Sequence, residues 1–308
     1  MPPMSDPAQI AAMRPAMEKM QLGMPYQTTV DRTSVSEDTV DISFRDGTSL
    51  PAAFYKPSVQ PASTGPLVAL YHGEDSWCQR WLSSPRSHFC VSFGKAYNTV
   101  VVSVNYRLAP EHKFPRFIHD SWDALNWAST LGADPFKGFI VGGSSAGGNI
   151  AAVMFHLARD QKLSPPITGL SFVYPVVASQ DAVPKELAHE CTAHTQNANA
   201  PGMLNAETLA FMRKCYNPAT SSGLYSVLNW ETGQQDLPKF DVLVCGLDQL
   251  RDAGLLYVRE LQKAGVGVKL DVYPGVPHSF DVIFPPMNQA EDLRKDRGEA
   301  FAWMLEGQ

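Results

Sequence analysis

The 308-residue sequence predicts an α/β fold in which a mostly parallel central sheet is flanked by helices. Short apolar runs typical of strands alternate along the chain with longer stretches of helical periodicity. Most of these runs are rich in valine and do not alternate with polar residues, as expected of strands covered on both faces. The predicted strands are 66–72, 99–106, 138–143, 170–177, 240–246 and 268–274, and the predicted helices are 86–96, 118–131, 147–162, 252–264 and 288–306.

Two further elements are expected ahead of this alternation. Residues 26–56 alternate apolar and polar side chains around the turn sequence Arg-Asp-Gly-Thr-Ser-Leu at 45–50, which predicts a β-hairpin. Residues 7–22 carry apolar side chains, mostly methionine and isoleucine, at helical spacing. A helix and a hairpin are therefore predicted to precede the parallel sheet.

One long segment interrupts the alternation of strands and helices. Residues 179–236 contain helical pieces but no strand of the expected type, and the segment is too long for a simple connection. We predict that it is a cap insertion that covers the C-terminal edge of the sheet, with residues 1–25 as the N-terminal helical part of the cap. The catalytic core would then comprise residues 26–178 and 237–308. The alternative is an ordinary surface elaboration.

Composition excludes several classes of protein. Hydrophobic residues make up 44% of the chain, charged residues 18%, and the net charge is −6, values typical of a globular protein. No basic block of the nucleic-acid-binding type is present, so neither a nucleic acid nor a membrane surface is an expected partner. Five scattered cysteines without a Cys-x-x-Cys pair predict neither a disulfide framework nor a metal site. The first residues lack the pattern of a signal peptide, and a cytoplasmic location is expected.

The stretch Gly143-Ser144-Ser145-Ala146-Gly147 matches the pattern Gly-x-Ser-x-Gly with Ser145 at its centre. A frame centred on Ser144 would need glycine at position 146 and finds alanine. Because a predicted strand precedes the motif and a predicted helix follows it, we expect a sharp turn that exposes the central hydroxyl. There the helix N-terminus favours the negative charge of an acyl-transfer intermediate. The alternative is a turn with a purely structural role.

A serine nucleophile needs a base and an acid that orients the base, in the chain order serine, acid, histidine. After residue 160 the histidines are His189 and His194, in the predicted cap, and His278, which follows the last predicted strand. For the acid, Asp248 directly follows a strand about 30 residues before His278. Its competitor Asp252 lies one turn into the next helix, where capping of that helix is the expected role.

The oxyanion hole is expected in the loop after the strand at 66–72. Backbone N–H groups of Gly73 and Glu74, together with that of Ala146, are the predicted donors. Other residues predicted to lie on loops beside the substrate are His72, Asp75 and Ser144.

Four motifs in order identify a resemblance: NYRLAPEHKFP at 105–115, GGSSAGGNIA at 142–151, GLDQLRDAG at 246–254 and YPGVPHSF at 273–280. Together they resemble the hormone-sensitive-lipase-like branch of the α/β-hydrolase superfamily, from about residue 66 onward. The resemblance implies the α/β-hydrolase fold with a helical cap, and a carboxylic ester hydrolase that uses Ser145, Asp248 and His278 without a cofactor. It also implies short acyl or small aromatic esters as substrates, and a monomer or homodimer.

The chain departs from this family at the oxyanion loop. The family usually has His-Gly-Gly-Gly there, whereas His72-Gly73 is followed here by Glu74 and Asp75, which bring negative charge near a site for an oxyanion. A milder departure is Ser279, where glycine is common. Arg107 and Glu111 of the first motif are expected to tie loops together near the site, and His72 is expected to support its own loop by hydrogen bonds.

Three functions remain open at this stage. The leading hypothesis is a serine esterase acting on a natural-product or xenobiotic ester, such as an ester of secondary metabolism. The altered loop motivates a second hypothesis, a non-hydrolytic biosynthetic enzyme that condenses, cyclises or eliminates a metabolite on the same fold. A third is a binding module, as in hormone receptors that resemble this family. The sequence disfavours it because such members tend to lose part of the catalytic triad, and all three candidate residues are present here.

Overall fold

The computed structural model describes residues 33–58, 65–73, 85–132, 134, 136–200 and 204–306. The helix predicted over residues 7–22, and with it the N-terminal part of the predicted cap, lies outside these residues. Along the described part of the chain no helix is both long enough and apolar enough to cross a bilayer.

Strands and helices alternate as the sequence predicts. The strands are β1 (Val35–Ser43), β2 (Ser49–Pro57), β3 (Leu67–Tyr71), β4 (Val100–Val104), β5 (Phe139–Ser144), β6 (Gly169–Val173), β7 (Lys239–Cys245) and β8 (Val268–Tyr273). The helices are α1 (Pro85–Tyr97), α2 (Arg116–Ser129), α3 (Ala146–Asp160), α4 (Ala193–Gln196), α5 (Ala206–Tyr216), α6 (Arg251–Lys263), α7 (Phe280–Ile283) and α8 (Asn288–Leu305).

The strands form one sheet in the order β1-β2-β4-β3-β5-β6-β7-β8. The predicted hairpin is confirmed, since β1 and β2 pair antiparallel up to Ser43 opposite Ser49, with Gly47 at a φ of +80° in the turn. β2 pairs antiparallel with β4, and every later pairing is parallel. The predicted fold class, with a mostly parallel sheet flanked by helices, is confirmed.

Most predicted boundaries lie within two residues of those observed, and one strand is shorter than predicted. The strand predicted over 170–177 ends at Val173. The next residue, Tyr174, has a φ of +41°, which takes the backbone out of the extended conformation. Pro175 follows and has no N–H to donate to a neighbouring strand. The apolar run at 170–177 is therefore longer than the strand, and β6 includes only its first four residues.

Both faces of the sheet are covered, which accounts for the valine-rich strands without alternation. In β4, Val100, Val102 and Val104 pack with α2, α3 and α6, while Val101 packs on the other face with α1 and α8. All four valine side chains are buried. Alternate positions of one strand therefore contribute to two apolar layers, as expected of a parallel sheet between helices.

The described residues of the segment 179–236 contain short helices and no strand. They comprise α4, α5 and three short 3₁₀ turns, at Gln180–Ala182, Ala188–Glu190 and Val227–Asn229. The segment contacts the core through the Asn149 amide, whose Nδ2 donates to the Tyr225 carbonyl over 2.7 Å. This hydrogen bond places part of the segment beside α3. The division of the chain into core and cap stays a prediction.

Asp252 does not cap its own helix, so that expectation was wrong. The residue at the N-terminal boundary of α6 is Leu250, whose own side chain makes no capping hydrogen bond. The Asp252 carboxylate instead accepts the backbone N–H groups of Thr192 and Ala193 over 2.8 and 2.7 Å. It therefore satisfies the free N–H groups at the start of α4, a helix 60 residues away in sequence that the helical pattern of α6 could not reveal.

Arg107 has the structural role expected of it. Its Nε atom donates to the buried Asp120 carboxylate over 2.8 Å, and its Nη1 atom donates to Asp46 over 2.7 Å. Asp46 lies in the β1–β2 turn and Asp120 in α2. Arg107 thus ties the hairpin to the helix, while Glu111 is exposed.

A carboxyl group that is not part of the candidate triad lies buried beneath α8. Asp241 of β7 has 0% of its surface exposed, and it accepts a hydrogen bond from the Ser171 hydroxyl over 2.9 Å. Among the described residues its Oδ1 atom has no hydrogen-bond partner. Burial raises the pKa of Asp241 to about 7, although the positive charge of Arg297 opposes this shift.

We therefore expect Asp241 to make folding stability depend on pH. An unfolded aspartate has a pKa of about 4. Between about pH 4 and pH 7 this group binds more protons in the native protein than in the unfolded chain, so its contribution to the free energy of unfolding decreases as pH rises. Asp241→Asn removes this ionisation and should stabilise the protein at pH 8 by up to about 4 kcal/mol, with a smaller difference at pH 5.

Urea unfolding of wild type and Asp241→Asn at pH 5 and pH 8 measures this effect. Asp292→Asn, a change at an exposed residue of α8, is the matched control and should leave the pH dependence unaltered. An Asp241→Asn protein whose stability relative to wild type is the same at both pH values would contradict the prediction.

Candidate active site

Ser145 lies on the sharp turn between β5 and α3. Its backbone adopts φ 54° and ψ −121°, a conformation that a residue with a side chain rarely occupies and that costs free energy. Two hydrogen bonds hold it. The Ser145 N–H donates to the Val173 carbonyl over 3.0 Å, and the Val176 N–H donates to the Ser145 carbonyl over 3.0 Å. The end of β6 and the residues after it therefore fix the predicted nucleophile from both sides.

Close backbone packing explains why the chain around Ser145 has so few side chains. A Cβ atom on Gly143 would lie 2.2 Å from the Gly147 carbonyl oxygen. A Cβ atom on Gly147 would lie 2.0 Å from the Tyr71 carbonyl oxygen. Carbon and oxygen atoms that are not bonded do not approach so closely, so both positions require glycine. The turn predicted from the motif is confirmed.

The structure brings the three predicted triad residues together. Nε2 of His278 lies 2.9 Å from Oγ of Ser145, and Nδ1 of His278 lies 2.5 Å from Oδ2 of Asp248. Ser145, Asp248 and His278 are 7%, 2% and 5% exposed. An ionised carboxylate only accepts hydrogen bonds, so Nδ1 carries the proton and Nε2 is left to accept the serine hydroxyl. The arrangement is that of a nucleophile, a base and an orienting acid.

The topology of the sheet brings the three triad side chains close together. Ser145 follows β5, Asp248 follows β7 and His278 follows β8, and these strands are parallel. The carboxyl ends of parallel strands lie at one edge of a sheet, where open α/β folds bind their ligands. The other histidines considered lie elsewhere, since His189 is exposed and His194 contacts Thr195.

The loop that carries Asp248 is held by an amide that the sequence did not single out. Nδ2 of Asn197 donates to the Asp248 carbonyl over 2.9 Å and to the Gly246 carbonyl over 3.3 Å. The free carboxylate oxygen of Asp248 accepts the Leu250 N–H over 3.0 Å. Asn197 lies in a polar stretch, Thr-Gln-Asn-Ala-Asn at 195–199, in which nothing distinguishes one amide from the next.

The predicted oxyanion loop lies directly against the nucleophile. A Cβ atom on Gly73 would lie 2.1 Å from the Ser144 carbonyl oxygen and 2.8 Å from Cβ of Ser145. Position 73 therefore requires glycine, and its backbone is adjacent to the reacting serine. Ala146, the other predicted donor, is the first residue of α3. Glu74 and Asp75 lie outside the described residues.

The His72 ring is held in the same loop by a ring contact, and the hydrogen bonds expected of it stay a prediction. Its ring is buried and stacks on the Tyr106 ring with centroids 4.3 Å apart, and its carbonyl accepts the Tyr106 hydroxyl. Ser144 ends β5 and is half-buried. Ser279 occupies the left-handed region with a φ of +57°, where glycine carries no penalty and serine does. The departure from the family at this position thus falls on a strained residue next to the base.

Known hydrolases resemble this chain over most of its length. A family model described as the alpha/beta hydrolase fold matches residues 68–282. The chain is 35% identical over 275 residues to an AB hydrolase superfamily protein of Schizosaccharomyces pombe, which covers 88% of this chain and 80% of that protein. It is also 35% identical over 244 residues to carboxylesterase NlhH of Mycobacterium tuberculosis, which covers 76% and 72% of the two chains. The chain belongs to the α/β-hydrolase family.

Two solved structures share nearly the whole fold. An esterase of Pyrobaculum calidifontis has a TM-score of 0.82 at 28% identity and covers 99% of this chain and 94% of its own. A vibralactone cyclase has a TM-score of 0.81 at 28% identity and covers 98% and 90%. The predicted resemblance to the hormone-sensitive-lipase-like carboxylesterase branch is confirmed.

Proposed function

We propose that this protein is a serine esterase that cleaves a carboxylic ester through an acyl-enzyme on Ser145. The general activity follows from the family: the chain is a carboxylic ester hydrolase, with carboxylesterases among its relatives. The observation that carries the serine mechanism is the buried hydrogen-bonded line from Asp248 through His278 to Ser145. The base accepts from the serine hydroxyl at a distance suited to proton transfer.

The first half of the reaction forms the acyl-enzyme. Oγ of Ser145 attacks the ester carbonyl while Nε2 of His278 takes its proton. Asp248 keeps the Nδ1 proton in place and stabilises the imidazolium that forms. The tetrahedral intermediate collapses as His278 gives the proton to the departing alcohol oxygen, and the C–O bond of the ester breaks.

The second half returns the enzyme to its starting state. Nε2 of His278 removes a proton from water, and the hydroxide formed attacks the acyl carbonyl. The carboxylic acid leaves as the proton returns to Oγ of Ser145. In both halves the proposed donors to the carbonyl oxygen are the backbone N–H groups of Gly73, Glu74 and Ala146, of which Gly73 packs against the nucleophile turn.

Esters of short acyl chains or small aromatic groups are the proposed substrates. The aromatic side chains of Phe114, Phe117, Tyr216 and Tyr225 form one cluster between α2 and the segment 179–236, with Tyr216 stacked on Phe117 at 4.3 Å. This cluster holds the segment against α2, and the proposed role of the segment is that of a cap over the substrate. The proposed setting is the cytoplasm, with a small-molecule ester as the partner and a monomer or homodimer as the assembly.

A cyclisation is the second candidate function. The same acyl-enzyme can be attacked by a hydroxyl group of the substrate itself, so that a lactone leaves instead of a carboxylic acid. In that case His278 takes the proton of the attacking hydroxyl, and Ser145 is regenerated as in hydrolysis. The similarity of the whole chain to a vibralactone cyclase is the observation in its favour.

Hydrolysis of p-nitrophenyl esters from acetate to decanoate tests the proposal. We expect a burst of p-nitrophenol with the shorter esters, and an acyl adduct on the peptide that contains Ser145 when the reaction is quenched and analysed by mass spectrometry. An adduct on another residue, or turnover without an acyl intermediate, would exclude the serine mechanism. Incubation with hydroxy esters and detection of lactone distinguishes the cyclisation.

A further inference from the structure

Tyr174 lies beside the ring of the proposed base His278, although no motif includes it. It directly follows β6 and is 4% exposed. Its ring packs edge to face with the His278 ring, with centroids 4.7 Å apart and an interplanar angle of 62°. Its hydroxyl donates to the Asp281 carboxylate over 3.1 Å, and Asp281 lies on α7, three residues after the base.

The backbone of Tyr174 is strained and firmly held. Its φ of +41° is unfavourable for a residue with a side chain, and such strain concentrates at functional sites. Its N–H donates to the Leu243 carbonyl over 2.7 Å. Val173, directly before Tyr174, and Val176, two residues after it, make two hydrogen bonds that hold the backbone of Ser145. One short segment therefore fixes both the nucleophile turn and one side of the base.

We propose that Tyr174 is a positioning residue that sets the orientation of the His278 ring toward Ser145. This inference rests on the proposed function of His278 as the base. The bond from Nδ1 to Asp248 fixes one atom of the imidazole but allows the ring to tilt about that bond. The Tyr174 ring blocks such a tilt. Being apolar, it also excludes water from the imidazole without offering a polar group that competes with Ser145 or Asp248.

The Asp281 bond completes the arrangement. It holds the far end of the Tyr174 side chain, so that the ring cannot swing away from His278. Because the contact acts on the base and not on the substrate, its loss should lower kcat and leave KM nearly unchanged. Small misplacements of reacting groups cost up to about 100-fold in rate.

Replacement of the ring tests the proposal. In Tyr174→Leu we expect kcat for a short p-nitrophenyl ester to decrease by about 10- to 100-fold, with KM within about threefold of wild type. Tyr174→Phe keeps the ring and should recover most of kcat. Tyr174→Met, with a flexible side chain that fills space without a ring, should behave like Tyr174→Leu and serves if the leucine variant does not fold.

Tyr97→Leu is the matched control. Tyr97 packs against Phe93 and Phe301 between α1 and α8, and its hydroxyl donates to the Gly298 carbonyl over 2.7 Å. This variant should lose stability and keep the wild-type kcat. A wild-type kcat in both Tyr174→Leu and Tyr174→Met, or an equal loss in Tyr97→Leu, would overturn the proposal.

A spectroscopic readout separates this inference from the proposed function. The Nδ1 proton shared by His278 and Asp248 should give a far-downfield proton resonance, which we expect to weaken in Tyr174→Leu and to persist in Tyr174→Phe and Tyr97→Leu. A resonance unchanged in Tyr174→Leu would refute the positioning role even if the enzyme proved inactive on esters. Wild-type hydrolysis that does not depend on Ser145 would refute the proposed function instead.

Discussion

Replacing Ser145 with alanine is expected to lower kcat/KM for ester hydrolysis by about 10⁴-fold or more, because it removes the hydroxyl on which the proposed acyl-enzyme forms. The fold should persist. Alanine retains the Cβ atom at the same strained backbone position, and the two backbone bonds to Val173 and Val176 do not involve the side chain. The measurement is hydrolysis of p-nitrophenyl acetate together with the thermal unfolding midpoint.

The neighbouring serine provides the control for this prediction. Ser144 ends β5 and is half-buried, and it occupies the wrong place in the glycine frame to act as the nucleophile. Ser144→Ala should change kcat/KM by less than about tenfold. A protein that loses activity with Ser144→Ala and keeps it with Ser145→Ala would reverse the assignment of the nucleophile.

The sequence predicts the triad because each of its members is marked by local chemistry. Ser145 lies in a glycine-rich stretch, which indicates a crowded turn. At Gly143 and Gly147, the two glycines of the motif, a Cβ atom would collide with backbone carbonyl oxygens. Asp248 and His278 each follow a buried strand, and parallel strands bring their carboxyl ends to one edge. Residues that directly follow these strands therefore lie close together in the folded chain.

The supporting residues lack such local marks. Asn197 and Tyr174 act on loops 51 and 104 residues away in sequence, and only the folded chain brings these pairs together. The one local signal near Tyr174 is Pro175, which lies inside the predicted strand 170–177 although proline has no N–H to donate to a neighbouring strand. For Asp252 the local pattern was misleading. Its position in the first turn of a helix predicted a cap of that helix, but its carboxylate accepts a hydrogen bond from the start of α4 instead.

The second large effect is expected for the acid of the triad. Asp248→Asn should lower kcat by about 10³- to 10⁴-fold. In the wild type, the Asp248 carboxylate accepts a hydrogen bond from Nδ1–H of His278. The asparagine amide of the variant offers either a weaker acceptor or an N–H donor. If the amide donates, His278 must carry its proton on Nε2, and it can no longer accept the proton of Ser145. The loop should remain in place, because Asn197 binds the backbone carbonyl of residue 248.

Asp252→Asn is the matched control for Asp248→Asn. It removes the same charge four residues further along the chain, and the Asp252 carboxylate binds the start of α4 and not His278. We expect kcat to decrease by less than about tenfold, with a lower thermal midpoint as the main effect. Steady-state kinetics of the two variants on one ester, at one pH, decide between the two carboxylates. If Asp252→Asn were the inactive variant, the hydrogen bond between Asp248 and His278 would not be the one that orients the base.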